Sequence, residues 1–183
     1  MSKVIFLVAG GTGGHLFPAI AVAKSFKKSK PHFLVDKRTE KILANKDFKY
    51  HVISSGKLEK NILKIIISFF KIFYGLGYSF YLIIKFKPSL VVGFGGYTSI
   101  PTILAAKILN KKILIHEQNS IMGKTNRFLS KFSTKIAITY KSTVFANKSA
   151  IFSGIPIREI KVKKNNYKNN KKTILIIGGS QGA

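Results

Sequence analysis

The sequence predicts an α/β domain built around a doubly wound parallel sheet. Short apolar runs rich in β-branched residues recur along the chain, as expected for strands that are buried on both faces of a sheet. These runs alternate with longer segments of helical character, and two of the runs end in glycine-rich turns. Such alternation is typical of a parallel sheet that is covered by helices on both faces.

The first predicted strand, residues 4–9, leads into a loop with four glycines at residues 10–14. Pro18 and an Ala/Val-rich segment indicate the start of the first helix, which is expected to end near residues 29–31. A strand, a glycine loop and a helix form a phosphate-binding turn, because glycines let backbone N–H groups approach an anion and the helix N-terminus is partly positive. The loop lacks the Gly-Lys-Ser/Thr of a P-loop, and Leu16 breaks the dinucleotide fingerprint. A tight turn that binds no ligand is the alternative.

His15 is predicted to lie in the first turn of this helix, beside the anion site. The helix macrodipole disfavours a positively charged imidazolium there, so the ring is expected to stay neutral near pH 7 and to accept a proton. A lone histidine is more often structural, but its position among the glycines makes His15 a candidate for catalysis.

Two further strands are predicted at residues 33–36 and 50–53. Asp36 follows the glycine loop at roughly the 20-residue distance at which a nicotinamide enzyme has its ribose-binding acid. Because the fingerprint is broken, Asp36 is better interpreted as a turn residue.

Residues 61–86 form the most apolar segment of the chain, which is interrupted by Lys64, Lys71 and Lys85. The pieces between these lysines are too short for a spanning helix, which needs about 20 apolar residues. A buried crossover helix and an interfacial helix remain as alternatives. Seven aromatic residues between positions 69 and 81 are too many for one core-facing stripe. We therefore predict a helix with one face in the core and an exposed end on the membrane.

The second half of the chain repeats the pattern of strand, glycine turn and helix. A strand over residues 89–92 ends in a second glycine turn, and Pro101 begins a helix that extends to residue 109. The next strand, residues 112–116, is followed by polar residues at its carboxyl end, where open α/β sheets bind ligands. The remaining predicted elements are a helix over 123–132 and a strand over 134–138.

The composition limits the kinds of site and partner. The chain has no cysteine, and its four histidines show no metal-ligand spacing, so neither a metal nor a cofactor is expected. A net charge of +26, from 32 basic and 6 acidic residues, favours a polyanionic partner such as an anionic membrane surface. A base-composition bias of the genome explains part of the lysine excess equally well, and no nucleic-acid partner is expected. No signal peptide is predicted, because the chain enters a strand at once.

Beyond Arg158 the character of the chain changes. Residues 159–172, rich in lysine and asparagine, are predicted to be a linker. Residues 173–183 begin another strand and glycine loop. We therefore expect one complete domain over residues 1–158 and the first part of a second domain.

Five motifs resemble, in order and spacing, those of the MurG family, the membrane-associated N-acetylglucosaminyltransferases of peptidoglycan synthesis. They are Gly10-Gly-Thr-Gly-Gly-His15 with Pro18, Gly95-Gly-Tyr97 with Pro101, His116-Glu-Gln-Asn119 with Gly123 and Asn126, Pro156-Ile-Arg158, and Gly178-Gly-Ser-Gln-Gly-Ala183. The resemblance covers nearly the whole chain, and Thr98 and Ile155 are its departures. It implies a Rossmann-like, acceptor-binding domain at the N-terminus of a two-domain GT-B glycosyltransferase, with nearly all of the second domain absent.

The resemblance also implies a reaction: transfer of N-acetylglucosamine from UDP-GlcNAc to the C4 hydroxyl of the muramyl sugar of lipid I, giving lipid II with inversion. His15 would be the general base, and Glu117 is a second catalytic candidate on the acceptor side. The implied substrate-binding residues are Thr12, Gly13, Gly14, Tyr97, Asn119, Arg158 and Ser180.

As a member of such a family, the protein would be a peripheral enzyme on the cytoplasmic face of the bacterial inner membrane. The family's second domain holds the uracil site, so this chain alone is expected to be inactive unless a separate C-terminal half exists. A non-catalytic basic fragment that binds membrane or nucleic acid is the alternative function. A nicotinamide oxidoreductase is disfavoured by the break at Leu16.

Overall fold

One parallel sheet forms the centre of the computed structural model, which describes residues 3–56, 61–157 and residue 174. Within these residues the sheet has seven strands: β1 (Val4–Val8), β2 (Lys30–Val35), β3 (Lys49–Val52), β4 (Leu90–Gly93), β5 (Ile113–Glu117), β6 (Lys135–Ile138) and β7 (Ile151–Phe152). The helices are α1 (Gly13–Ser25), α2 (Lys37–Leu43), α3 (Ile62–Phe86), α4 (Ser99–Ile108) and α5 (Lys124–Ser130).

The strands lie in the order β3-β2-β1-β4-β5-β6-β7, and every neighbouring pair is parallel. The chain builds outwards from β1 to β3 and then returns to the other side of β1 with β4. In the register of the central strands, Leu7 lies opposite Phe33 of β2 and Val92 of β4. The topological switch point is therefore between β1 and β4, and a crevice opens there at the carboxyl ends of the strands.

Alternate residues of the strands contribute to two separate cores. Phe6 and Val8 of β1 pack on the face that is covered by α3, α4 and α5. Ile5 and Leu7 pack on the opposite face, against α1 and α2. Because successive side chains of a strand point to opposite faces, a strand that is apolar at every position must be covered on both sides. The predicted doubly wound parallel sheet is confirmed.

The first helix begins at Gly13, so His15 lies in its first turn as predicted, whereas Pro18 lies inside the helix and does not mark its start. Thr12, in extended conformation, is the N-cap residue, and its carbonyl oxygen accepts the N–H groups of His15 and Leu16 at 3.3 Å. The first turn is thus closed before the proline, whose buried ring lies inside the helix without an N–H group to donate. The helix also ends at Ser25, earlier than predicted, because β2 begins at Lys30.

Helix α3 matches the predicted apolar segment. It begins where the Asn61 side chain accepts the N–H of Leu63 at 2.9 Å, and it ends at Phe86, because the next residue, Lys87, adopts a φ of 45° before Pro88. Its buried side is a narrow stripe of Ser68, Gly75, Ser79, Leu82 and Ile83. Most of its large apolar side chains are exposed, among them Ile62, Leu63, Ile66, Ile67, Phe69, Phe70, Phe73 and Tyr74.

In the described part of the chain, α3 is the helix whose length and apolar composition suffice to cross a membrane. Its C-terminal third belongs to the folded layer, however, because Leu82 and Ile83 are buried in the core beneath it. The aromatic residues were predicted to be too many for one core-facing stripe, and the exposed fractions of Phe70 (69%) and Tyr74 (73%) agree with that prediction.

Two elements have no counterpart among the predicted ones. Helix α2 is short, and it starts where the Asp36 carboxylate accepts the N–H groups of Arg38 and Thr39. Strand β7 has two residues, Ile151 and Phe152, both exposed at the edge of the sheet. Both elements are too short for a hydrophobic periodicity to be detected in the sequence.

Candidate functional site

The two glycine turns meet at the switch point. Gly95 and Gly96 adopt φ values of +102° and +77°, a left-handed region in which other residues are strained. A Cβ atom on Gly96 would lie 2.5 Å from the carbonyl oxygen of Gly10, and one on Gly10 would lie 2.1 Å from the Thr98 hydroxyl oxygen. The turns therefore pack backbone against backbone, and glycine is needed on both sides of the contact.

Beside this contact lies a cleft of about 290 Å³, named here the His15 cleft. The turn after β4, the carboxyl end of β5 and the first turn of α5 form its walls. Its lining residues are His15, Gly95, Gly96, Tyr97, Glu117, Asn119, Gly123, Lys124, Thr125 and Asn126. The structure thus brings together four of the predicted site residues: His15, Tyr97, Glu117 and Asn119.

A chain of hydrogen bonds leads from the His15 ring into the protein. Its Nδ1 lies 3.2 Å from Oε1 of Gln118, and Nε2 of Gln118 lies 3.1 Å from Nδ1 of His116. The Nε2 of His116 lies 3.2 Å from the carbonyl oxygen of Gly154. Gln118 and His116 are both buried, so this chain is shielded from water.

Two backbone carbonyl oxygens, those of Gly154 and His116, determine where the protons of this chain are. The carbonyl oxygen of Gly154 can only accept, so Nε2 of His116 donates and its Nδ1 is left as an acceptor. The carbonyl oxygen of His116 also lies 3.2 Å from Nε2 of Gln118, which identifies that atom as the amide nitrogen. The Gln118 oxygen therefore faces His15 and accepts a proton from its Nδ1.

This pattern requires His116 to be neutral. Burial lowers the pKa of His116, and it outweighs the hydrogen bond to Gly154 and the nearby Glu117 charge, both of which raise the pKa. With Nδ1 of His15 committed as a donor, Nε2 of a neutral His15 ring is its only nitrogen that can accept a proton. The neighbouring amide therefore sets the tautomer of His15 and leaves Nε2 able to accept a proton.

Glu117 is almost fully buried, at 1% exposure, and both of its oxygens are occupied. Oε1 accepts the backbone N–H and the side-chain amide of Asn119 at 2.9 and 3.0 Å. Oε2 accepts the N–H of Gly123 at 3.0 Å and the side-chain amide of Asn126 at 2.8 Å. These four hydrogen bonds join β5 to α5, so Glu117 shapes the cleft wall.

Asp36 ties the first glycine loop to the ends of the neighbouring strands. Its carboxylate accepts the N–H of Gly11 at 2.8 Å and the hydroxyl of Thr39 at 2.8 Å, and it pairs with Arg38 at 3.2 Å. Burial raises the pKa of Asp36, but the bonds from Thr39 and Gly11 and the Arg38 charge outweigh it, so the pKa lies below its ordinary value. The interpretation of Asp36 as a turn residue agrees with its position as the N-cap of α2.

The other predicted site residues lie elsewhere or outside the described residues. Thr12, Gly13 and Gly14 form the start of α1 next to His15, but they do not line the His15 cleft. Arg158 and Ser180 lie outside the residues that the structure describes, as do the predicted linker and all of the predicted second domain except residue 174. Among the described residues, no group of three His, Asp or Glu side chains is placed to hold a metal ion.

Sequence reasoning did not identify Gln118 and Asn126 as functional residues. Both are buried polar residues whose amides bond the carbonyl oxygen of His116. Their presence in a polar run at a strand end and in the following helix was a visible signal, but their partners depend on how β5 and α5 pack.

Comparisons with known proteins agree with this geometry. Residues 5–138 match the Glycosyltransferase family 28 N-terminal domain. The UDP-N-acetylglucosamine–N-acetylmuramyl-(pentapeptide) pyrophosphoryl-undecaprenol N-acetylglucosamine transferase of Rickettsia bellii (strain RML369-C) is 43% identical over 99% of this chain and 53% of its own length. The protein of the same name from Wolbachia sp. subsp. Brugia malayi (strain TRS) is 39% identical over 98% of this chain and 51% of its own.

A solved structure gives the same result. The crystal structure of Acinetobacter baumannii MurG superposes with a TM-score of 0.73 and 28% identity, over 86% of this chain and 47% of that one. The chain therefore spans about half the length of the curated relatives that it matches.

Proposed function

Since this chain belongs to glycosyltransferase family 28, in agreement with its predicted resemblance to the MurG family, we propose that it is the acceptor-binding half of a lipid II-forming enzyme. The enzyme transfers N-acetylglucosamine from UDP-GlcNAc to lipid I. The observation that carries this proposal is the His15 ring in a cleft at the switch point, with Nδ1 bonded to Gln118 and Nε2 left to accept a proton.

In the proposed step, Nε2 of His15 takes the proton of the C4 hydroxyl of the muramyl sugar. The hydroxyl oxygen attacks the anomeric carbon of the donor, the bond from that carbon to the diphosphate breaks, and UDP leaves with the electron pair. A single displacement of this kind inverts the anomeric centre. The N–H groups of Gly13 and Gly14 begin a helix and have no intrahelical acceptor, so they are suited to an anionic group of a substrate.

The other residues of the cleft have supporting roles in this proposal. Glu117 acts as a positioning residue, because all of its hydrogen-bonding capacity is used on Asn119, Gly123 and Asn126. Asn119 uses its amide nitrogen on Glu117 and presents its amide oxygen to a sugar hydroxyl. Tyr97 contributes to the acceptor wall. Arg158 and Ser180 remain proposed donor contacts on the strength of the family resemblance.

The donor half of the site is proposed to belong to a second domain, as in the two-domain family. The chain by itself is then expected to bind UDP-GlcNAc weakly and to transfer no sugar. The test compares the chain alone with a fusion to the C-terminal half of the Rickettsia bellii relative, supplied with UDP-GlcNAc and a lipid I analogue.

Transfer by the fusion and loss of at least about 100-fold in its His15→Ala variant are the expected results, because a general base contributes about 10²–10⁴-fold. A fusion that binds UDP-GlcNAc but transfers no sugar would contradict the assignment. Salt-sensitive nucleic-acid binding in place of transfer would favour a non-catalytic basic module.

We further propose that the exposed part of α3 docks the protein peripherally on the cytoplasmic face of the inner membrane. Its N-terminal two-thirds exposes Ile66, Phe70 and Phe73 to solvent. Exposed apolar side chains beside Lys64 and Lys71 fit an interfacial helix on an anionic surface. The burial of Leu82 and Ile83 argues against a spanning helix, because the C-terminal end would have to leave the core.

Vesicle flotation tests this second proposal. Vesicles with anionic phospholipid should bind the chain, and binding should weaken with salt. A Phe70→Ser variant (69% exposed in α3) should lose binding, whereas Ile108→Ser (66% exposed in α4) is the matched control. Equal binding by the two variants would show that α3 does not dock.

A further inference from the structure

A second cleft, of about 610 Å³, lies at the carboxyl ends of β2 and β3 and shares no residue with the His15 cleft. We infer that this cleft, named here the Lys71 cleft, binds the phosphate or diphosphate group of a molecule with a long apolar chain. Its walls are the turn into α2, the loop after β3 and one side of α3. Its lining residues are Asp36, Lys37, Arg38, Val52, Ser54, Ser55, Lys71 and Tyr74.

The charge of the cleft favours an anion. Three cations line it against one carboxylate, and that carboxylate is already bonded to Gly11, Thr39 and Arg38. Among the described residues, the pair of Arg38 with Asp36 is the one ion pair, so Lys37 and Lys71 have no acidic partner there. Phosphate groups are bound by such a combination of ammonium groups and hydroxyls.

Hydroxyl groups complete the lining. Ser54, Ser55 and Tyr74 each contribute one. Ser55 lies 3.4 Å from the Thr98 hydroxyl, which in turn donates to Asp36 at 3.4 Å. This long contact holds Ser55 weakly, so its hydroxyl can donate to an incoming oxygen.

The position of Lys71 and Tyr74 on α3 indicates that the ligand has an apolar part. One helical turn before them lie Ile67, 52% exposed, and Phe70, 69% exposed. A polar cleft therefore continues directly into the exposed apolar side of the same helix. A molecule with a phosphate head and a hydrocarbon chain satisfies both parts, whereas a free phosphate satisfies only the first.

Two sources supply this chemistry: the headgroup of an anionic lipid, and the diphosphate of a polyprenyl-linked acceptor. The second source rests on the proposed function. It is compatible with the topology, since both clefts open at the carboxyl edge of the sheet and the first glycine loop, tied to Asp36 through Gly11, lies between them.

The experiment compares a Lys37→Gln/Lys71→Gln variant with a Lys107→Gln/Lys131→Gln variant, which loses the same charge at exposed positions on α4 and after α5. Farnesyl diphosphate and inorganic diphosphate are titrated while the backbone amides of Ser54 and Ser55 are followed by NMR. Farnesyl diphosphate should bind more tightly than inorganic diphosphate. The cleft variant should lose at least about tenfold in affinity, and the control variant less than about threefold.

A vesicle arm distinguishes the two sources. Flotation with phosphatidic acid vesicles is measured for both variants, with phosphatidylcholine vesicles as the reference. Because Lys71 is also part of the proposed docking surface of α3, a Lys37→Gln variant decides this arm. Its loss of farnesyl diphosphate binding with unchanged vesicle binding assigns the cleft to a substrate diphosphate, and its loss of both assigns the cleft to a lipid headgroup. Equal behaviour of the two variants with every probe would overturn the proposal. None of these measurements requires sugar transfer, so failure of the transfer assay is a separate outcome.

Discussion

At the residue scale, the arrangement around His15 depends on Gln118, which links two histidines of different roles. The amide donates to His116 and accepts from His15. His116 is buried and kept neutral, and it acts on His15 only through this amide. The hydrogen bonds between His15, Gln118 and His116 fix which nitrogen of each ring carries a proton, because any other arrangement would leave a buried polar group without a partner.

We expect Gln118→Leu to release the proton from Nδ1 of His15, because the ring loses the acceptor that sets its tautomer. The measurement is the ¹⁵N spectrum of the imidazole in the free protein, together with transfer by the fusion. The rate should fall towards that of His15→Ala, by roughly 10²-fold.

Gln118→Glu is the matched variant for this prediction. Its carboxylate still accepts from Nδ1 of His15, so the tautomer should be kept while the donation to His116 is lost. An unchanged tautomer in Gln118→Leu would show that the amide does not control the ring.

A second residue-scale prediction concerns Asp36. In Asp36→Asn the remaining oxygen can still cap α2 through Thr39, but an amide nitrogen opposite the N–H of Gly11 places two donors together. We expect a loss of about 1–3 kcal/mol in the free energy of unfolding, because the partly buried N–H of Gly11 is left without an acceptor. Hydrogen exchange should accelerate at the Gly11 amide and change little at the Thr39 amide. Equal acceleration at both amides would show that the loop and the cap are not separable.

At the element scale, α3 approaches the protein through small residues and leaves its large ones outside. Its buried stripe includes Ser68, Gly75 and Ser79, and the Ser79 hydroxyl lies 3.0 Å from that of Thr102 on α4. A Cβ atom on Gly56 would lie 2.4 Å from the Cβ of Ser68, so the loop after β3 also packs closely. If bulky residues replaced these small ones, the helix would have to lie farther from the sheet.

Two glycines of α3 give a matched test of this packing. A Cβ atom on Gly75 would lie 2.0 Å from the carbonyl oxygen of Ser54, whereas one on Gly77 would meet nothing within 4 Å. Gly75→Ala should lower the free energy of unfolding by about 1–3 kcal/mol through overpacking. Gly77→Ala should raise it by roughly 0.5–1 kcal/mol through helix propensity. Chemical denaturation measures both, and stabilisation by Gly75→Ala would contradict the close approach of α3 to Ser54.

At the scale of the whole molecule, charge and buried histidines make stability depend on pH. Burial lowers the pKa of His32, His51 and His116 below their ordinary value near 6.5, and for His32 and His51 neighbouring charges lower it further. For His32 these charges are those of His51, Lys49 and Lys30, and for His51 they are those of Lys85 and Lys49. Nδ1 of His32 and Nε2 of His51 are buried without a hydrogen-bond partner. A proton on these rings is therefore unfavourable in the folded state.

The lowered pKa values of these three histidines determine how stability changes with pH. As the pH falls through 6.5, these histidines bind protons in the unfolded chain but not in the folded chain, because their pKa values are lower in the folded state. The free energy of unfolding should therefore be constant above about pH 7.5 and decrease as the pH drops through 6.5. Each histidine contributes a slope of at most about 1.4 kcal/mol per pH unit. Denaturation at a series of pH values measures this slope, and His32→Phe should make it shallower. A stability that rises on acidification would contradict the prediction.

The sequence alone was sufficient for the fold class, and it predicted a candidate site at the glycine turns. Apolar runs such as residues 4–8 require cover on both faces, and glycine-rich turns after β1 and β4 predict close backbone contacts wherever the chain folds. The apolar runs and the glycine-rich turns can be recognised in the sequence, because the burial of a strand and the conformational freedom of glycine depend on only a few consecutive residues. His15 was predicted from its place beside the first glycine loop, and Tyr97, Glu117 and Asn119 from the resemblance to the MurG family. All four lie around one cleft.

Only the tertiary structure decided the proton pattern of His15, the engagement of Glu117 by four donors, and the Lys71 cleft. Each of these depends on residues from different elements of the fold: His15 with Gln118, Glu117 with Asn126, and Asp36 with Gly11. It also decided that α1 begins at Gly13, where Thr12 closes the first turn, although Pro18 suggested a later start. The physical reason is the same throughout. Hydrogen bonds and charges act over a few ångströms in space, and a sequence specifies those distances only after its strands have been ordered and its helices packed.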